Sequence, residues 1–315
     1  MKRAMDFVWP IVGLSAVALA SWLLLRELRG LSLAELETAI SAISPPRWAL
    51  AMIAAGVSYA ALACYDQVGL AHLGRRLDGR FVALVSFCAY SLAHNLGATI
   101  FSGGAARYRA YSTKGLGVAE VGALVAFCAF TFALGVASLG GLTLLFHPEL
   151  ARRYVEAPDW AARLVGLALL SVPSLYAIGS LLRLAPLRIR GVELVYPRPP
   201  VAARQLLVAP MDLIGGAGII YFALPSAANP GFAIVLGVYV ASFALALVSH
   251  APGGLGVLEY SFLKGMPNTP AADALAALLV FRLLYFILPL LFSLVAILAF
   301  ERGRIGGLVR GKDGD

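Results

Sequence analysis

The sequence predicts an all-α polytopic membrane protein with about six full spans and two re-entrant helical hairpins in an inverted repeat. Three observations carry this. Of 315 residues, 60% are apolar and 13% charged, whereas a typical soluble domain is about 45–50% apolar and about 25% charged. The apolar residues fall into eight runs, 7–25, 48–70, 81–101, 119–146, 161–182, 206–224, 232–248 and 272–300, near the length of about 20 residues that a helix needs to cross a hydrocarbon core. Finally, the basic residues sort to one side of the membrane only if two of those runs turn back.

Taken in order, the chain starts with Lys2-Arg3 and an apolar run containing Ala18-Leu19-Ala20, the pattern of a signal peptide. The run continues through Trp22-Leu23-Leu24-Leu25 and ends in Arg26-Glu27, so an uncleaved first span is favoured. Residues 31–43 place apolar side chains at 33, 36, 40 and 43, with Glu35 and Glu37 off that stripe. This is one helical face, suited either to the membrane interface or to packing on the bundle. No gap between runs exceeds 25 residues. The whole of 1–315 therefore reads as a single membrane domain, with a cytoplasmic tail at 301–315.

The formal charge of +8 does not point to nucleic acid, because Lys and Arg lie in short loops beside apolar runs, where they set topology. Eight full spans split the 24 cations other than Arg282 evenly between the two sides. If 81–115 and 232–265 instead dip and return, 17 fall inside and 7 outside, as the positive-inside rule requires. Eight full spans remain the alternative.

An internal repeat supports the dips. Gly103-Gly104 and Lys114-Gly115 align without gaps on Gly253-Gly254 and Lys264-Gly265 at an offset of 150, and the flanking apolar runs follow. The repeat halves are about 47–146 and 205–300. With one dip opening inside and the other outside, the halves are inverted, an architecture in which broken helices meet near the midplane. Irregular backbone at that depth is tolerated where it is buried or lines a cavity.

The second dip, Ser249-His250-Ala251-Pro252-Gly253-Gly254-Leu255-Gly256-Val257-Leu258-Glu259, is the most informative stretch. Pro252 stops a helix, and Gly253, Gly254 and Gly256 permit unusual backbone angles. A helix restarting near Leu255 points free N–H groups at an anion such as a phosphate. The plainer reading is that these glycines allow tight hairpin packing. In the first dip, Asn95, Ser102, Gly103 and Gly104 form the turn, and the returning helix carries Arg107 and Arg109. Three readings stay open: the arginines bind a lipid phosphate, Arg109 gates against Glu259, or both anchor at the interface.

Arg282 sits ten residues into the last run, too deep to reach water easily. It calls for a partner, with Glu259 the leading candidate, or for an anionic substrate. Asp66 and Asp212 are weaker candidates, and interfacial location alone would explain Asp66. His94 and His250 could relay protons, or be structural and hydrogen-bonded. Cys64, Cys88 and Cys128 lie inside apolar runs and read as small core residues. The sequence has no metal-site spacing, no catalytic triad and no phosphate loop of the Walker type, so no cofactor or catalytic residue is expected.

At Ser249–Glu259, Gly103-Gly-Ala-Ala-Arg-Tyr-Arg109, and Arg282-Leu-Leu-Tyr285 before Pro289, the chain resembles the lysylphosphatidylglycerol synthase transmembrane family. That family includes the flippase half of MprF and stand-alone YbhN-like proteins. The resemblance covers nearly the whole chain and implies a bacterial inner-membrane lipid translocator, its partner a membrane phospholipid, anionic or aminoacylated. The aminoacyltransferase half of MprF has no counterpart in these residues, so the resemblance implies transport rather than catalysis. The competing expectation is a non-transporting scaffold or accessory subunit of a lipid-modifying enzyme. Homo-oligomerisation is compatible with either.

Overall fold

The structure, a computed structural model, describes residues 38, 41, 43–96, 99–184, 187–189, 192–194, 196–248, 254 and 256–310. The first expected span, 7–25, and nearly all of 31–43 lie outside them. The described helices are α1 (Pro45–His72), α2 (Gly79–Leu96), α3 (Thr99–Tyr111), α4 (Val118–Phe146), α5 (Asp159–Leu181), α6 (Pro199–Val208), α7 (Met211–Ala223), α8 (Phe232–Val248), α9 (Val257–Gly265), α10 (Ala271–Arg282) and α11 (Leu288–Arg310). A small antiparallel ribbon, Leu187–Ile189 with Val192–Leu194, lies in the loop after α5.

Among the described residues, five stretches are long and apolar enough to cross a membrane: α1, α4, α5, α6 with α7, and α10 with the start of α11. This is an all-α multi-pass membrane protein. α5 makes the solvent plain, since Leu164, Val165, Leu167, Val172, Leu175 and Ile178 all face outward. In water such a surface would be an aggregation site; in lipid it is the expected outer face.

Prolines set where helices start and bend. Pro45 and Pro46 occupy the first turn of α1, where a missing N–H costs nothing. Pro210 separates α6 from α7, and the Tyr65 hydroxyl donates to the Ala209 carbonyl at that break, 2.5 Å away. Pro289 cannot donate to the Tyr285 carbonyl. The chain widens there into a π turn, Leu283–Ile287, and the Tyr59 hydroxyl donates to that carbonyl at 2.9 Å. At both of these breaks a tyrosine hydroxyl supplies a donor to a backbone carbonyl, as low-dielectric surroundings favour.

Small residues let the helices approach. The most extensive helix contact is α1 with α7, where a Cβ on Gly215 would lie 2.7 Å from both the Ala54 carbonyl oxygen and Ser58 Cβ. Gly135 of α4 sits against the α6–α7 break so closely that any Cβ would collide with the Ala209 carbonyl. Close backbone approach through small side chains is how helices associate where lipid tails remove the hydrophobic drive.

α2 packs against α3, and α8 against α9, at the two places where dips were expected. The first differs in detail. Ser102, Gly103 and Gly104 are not a turn but lie within α3. A Cβ on Gly103 would sit 3.2 Å from Ala89 O and Ala93 Cβ of α2, so this glycine closes the helix pair. In the second, α9 starts at Val257 rather than near Leu255. Gly254 and Gly256 have φ of +66° and +78°, angles that L side chains rarely adopt. Ser249, His250, Pro252 and Gly253 lie outside the described residues.

Candidate functional site

Four ionisable clusters occupy the interior. Asp66, fully buried on α1, takes a forked pair from Arg107 of α3: Nη2 donates to Oδ1 at 2.8 Å and Nε to Oδ2 at 3.0 Å. The Tyr111 hydroxyl donates to Oδ2 at 2.9 Å, and the Cys128 thiol lies 3.4 Å from Oδ1. The guanidinium, itself 3% exposed, lies over the Tyr90 ring, 4.4 Å from its centroid. A carboxylate at this depth is sustained by paired charge and satisfied hydrogen bonds. Asp66 is therefore the centre of a buried network, not a residue of the interface.

Asp212, on α7, is equally buried. It accepts hydrogen bonds at Oδ1 from the hydroxyls of Ser58 and Tyr285, the latter at 2.9 Å. His94 stacks on the Tyr285 ring, centroids 4.9 Å apart, and its Nδ1 has no hydrogen-bond partner among the described residues. Asn95 gives its amide N–H groups to the carbonyls of Ser91 at 2.7 Å and Phe286 at 3.3 Å, tying α2 to the π turn.

Arg282 pairs with Glu259, with Nε to Oε1 at 2.6 Å and a second contact through Nη2. The other oxygen of Glu259 accepts the Gly256 N–H at 2.7 Å. One amide at the start of α9, where free N–H groups were expected for an anion, is thus taken by the protein's own carboxylate, the glutamate half of a capping box. Arg109 pairs with Glu301 of α11 at 2.8 Å. Opposite repeat charges therefore do not meet as an Arg109–Glu259 gate. Each finds a partner on the C-terminal helices, because the chain brings α10 and α11 beside both helix pairs.

Between these clusters lies a cavity of about 470 Å³. One wall is α2 and α3, through Tyr90, Ala93, His94 and Arg107. The facing wall is α8 and α9, through Phe243, Ala246, Leu247, Gly254 and Leu258. α4 forms its floor from Val125 to Ala137, and Tyr65, Asp212 and Phe286 reach it from the core. Apolar walls with a few convergent polar groups are the usual character of a small-molecule or lipid site.

The fold and the site together define an all-α multi-pass membrane bundle whose charged groups surround an apolar cavity. The chain belongs to the lysylphosphatidylglycerol synthase TM region family, whose model matches residues 11–293. It is 32% identical to Inner membrane protein YbhN of Escherichia coli over 255 residues, which cover 78% of this chain and 77% of that one. It is 28% identical over 250 residues, 78% of this chain and 76% of the other, to Uncharacterized protein slr0712 of Synechocystis.

Sequence reasoning singled out Arg107, Arg282 and Glu259, charges inside or close to apolar runs, and the structure places each of them in an ion pair. It undervalued Asp66 and Asp212, whose positions near run ends hid their burial. It gave no role to the hydroxyls of Tyr59, Tyr65 and Tyr111, which hydrogen-bond in the interior.

Proposed function

We propose that this chain is a multi-pass lipid translocator of the bacterial inner membrane, passing the headgroup of an anionic or aminoacylated phospholipid between α2–α3 and α8–α9 while acyl chains stay in lipid. The observation that carries the proposal is the cavity itself. It is walled by the two helix pairs, apolar over most of its lining, and edged by Arg107 and Asp212. Family membership and the printed name of the Escherichia coli relative, an inner membrane protein, support the setting.

The helix pairs are read as re-entrant hairpins of an inverted repeat, with halves about 47–146 and 205–300. What supports this is length. α3 has 13 residues and α9 has 9, so at 1.5 Å per residue they reach roughly 20 and 14 Å, well short of a hydrocarbon core of roughly 30 Å. In this reading Arg107, Asn95 and the residues Ser102–Gly104 line the cytoplasmic approach, and Arg109 with Glu301 flanks its mouth. Gly254 and Gly256 belong to the outer approach, with Glu259 and Arg282 as an ion pair that exchanges partners as a charged headgroup passes.

A photoactivatable phosphatidylglycerol, reacted with the protein in nanodiscs and mapped by mass spectrometry, tests this. Adducts are expected on Phe132, Ala133, Phe243 and Leu247. Adducts confined to the outward face of α5 would contradict it.

A further inference from the structure

The buried charges are not balanced alike. Asp66 has Arg107, Glu259 has Arg282 and Arg109 has Glu301. Asp212, 1% exposed, has no cation partner among the described residues. Its two hydrogen bonds both fall on Oδ1, and it lines the cavity. The titratable groups around it are uncharged in their ordinary state. They are Tyr59 and Tyr65 of α1, Tyr239 of α8, Tyr285 of the π turn and, across the cavity on α4, Cys128. The cavity wall adds His94 and the Asp66-bound Arg107.

We infer that Asp212 is a proton-binding site of the cavity and that an anionic lipid headgroup loads together with that proton. The inference rests on the lipid-translocator reading. The reason is charge. Arg107 and Asp66 cancel, so an ionised Asp212 leaves the cavity one negative charge that repels a phosphodiester at short range in a medium of low dielectric. Uptake of one proton from water on one side converts the carboxylate to a neutral carboxyl and removes that repulsion; release to water on the other side restores it. One proton and one headgroup then move in the same direction per cycle, and each favours binding of the other by thermodynamic reciprocity. Asp66 cannot do this, because a forked arginine already neutralises it.

The test uses the full chain in phosphatidylethanolamine–phosphatidylglycerol liposomes. Infrared difference spectra between alkaline and acid buffer are expected to contain a protonated-carboxyl band that disappears in Asp212→Asn. In parallel, dithionite quenching follows a fluorescent phosphatidylglycerol. The wild type is expected to move it about tenfold or more faster in acid than in alkaline buffer; the ratio falls to about one in Asp212→Asn and returns in Asp212→Glu. Should Asp212→Asn fail to fold, the wild-type ratio and its retention in Asp212→Glu still decide. A wild type that moves lipid at equal rates in both buffers, or a carboxyl band and pH response that survive in Asp212→Asn, overturns the proton site while leaving lipid translocation standing. No lipid movement in either buffer overturns the translocator reading, and with it the coupling.

Discussion

At the scale of single residues, the interior is organised by which charges are paired. Removing one member of a buried pair strands the other, which typically costs about 3–5 kcal/mol, more than removing both. Arg107→Ala is therefore expected to destabilise the protein strongly, while Arg107→Gln with Asp66→Asn recovers a large part of the loss. Thermal unfolding in detergent followed by size exclusion reads this directly; equal melting points for the single and double variants would argue against a coupled pair. The same cycle on Glu259 and Arg282 is expected to yield a smaller coupling, since Glu259 is 21% exposed whereas Asp66 is fully buried. These pairs differ in legibility. Arg282 and Glu259 lie close in sequence, and a cation deep in an apolar run demands an acid. Arg107 and Asp66 are 41 residues apart on two helices, and nothing in the composition around Asp66 separates a buried acid from an interfacial one.

At the scale of elements, the positions of the helices were legible because apolar runs are long, and their interruptions because proline and glycine are few and specific. What each interruption does was less so. Gly103 and Gly104 read as a turn, yet they sit within α3, since a glycine that allows close packing and one that allows a bend look the same in sequence. Gly215→Leu forces a large side chain onto the Ala54 carbonyl; overpacking of this kind costs about 1–3 kcal/mol or more. It is expected to lower the melting temperature and the yield of monodisperse protein, whereas Gly56→Leu, at a position with no neighbour within 4 Å, is expected to change neither appreciably. Tyr59→Phe leaves the Tyr285 carbonyl without its hydroxyl donor and is expected to cost about 1–3 kcal/mol, measurable by the same unfolding assay.

At the scale of the whole molecule, the number of apolar runs is written in hydropathy, but whether each run crosses or turns back is written only in a few cations. Single cysteines at Thr113 and Lys264, placed in a chain whose three native cysteines are alanine, separate the topologies. With re-entrant hairpins, membrane-impermeant maleimide on intact cells labels position 264 and not 113; with eight full spans it labels 113 as well. The cavity, in contrast, was inferable only as a consequence of opposed dips. Its walls depend on residues far apart in the chain, which no local pattern announces.

The most direct test of lipid passage between the two helix pairs is to fill that space. Ala133 lies on α4 at the cavity wall, and Ala133→Trp adds bulk there without touching any ion pair. In proteoliposomes, dithionite quenching of fluorescent phosphatidylglycerol is expected to reach the inner leaflet's share with the wild-type protein and to stop at the outer leaflet's share with folded Ala133→Trp. Equal quenching by the two proteins would contradict passage through the cavity.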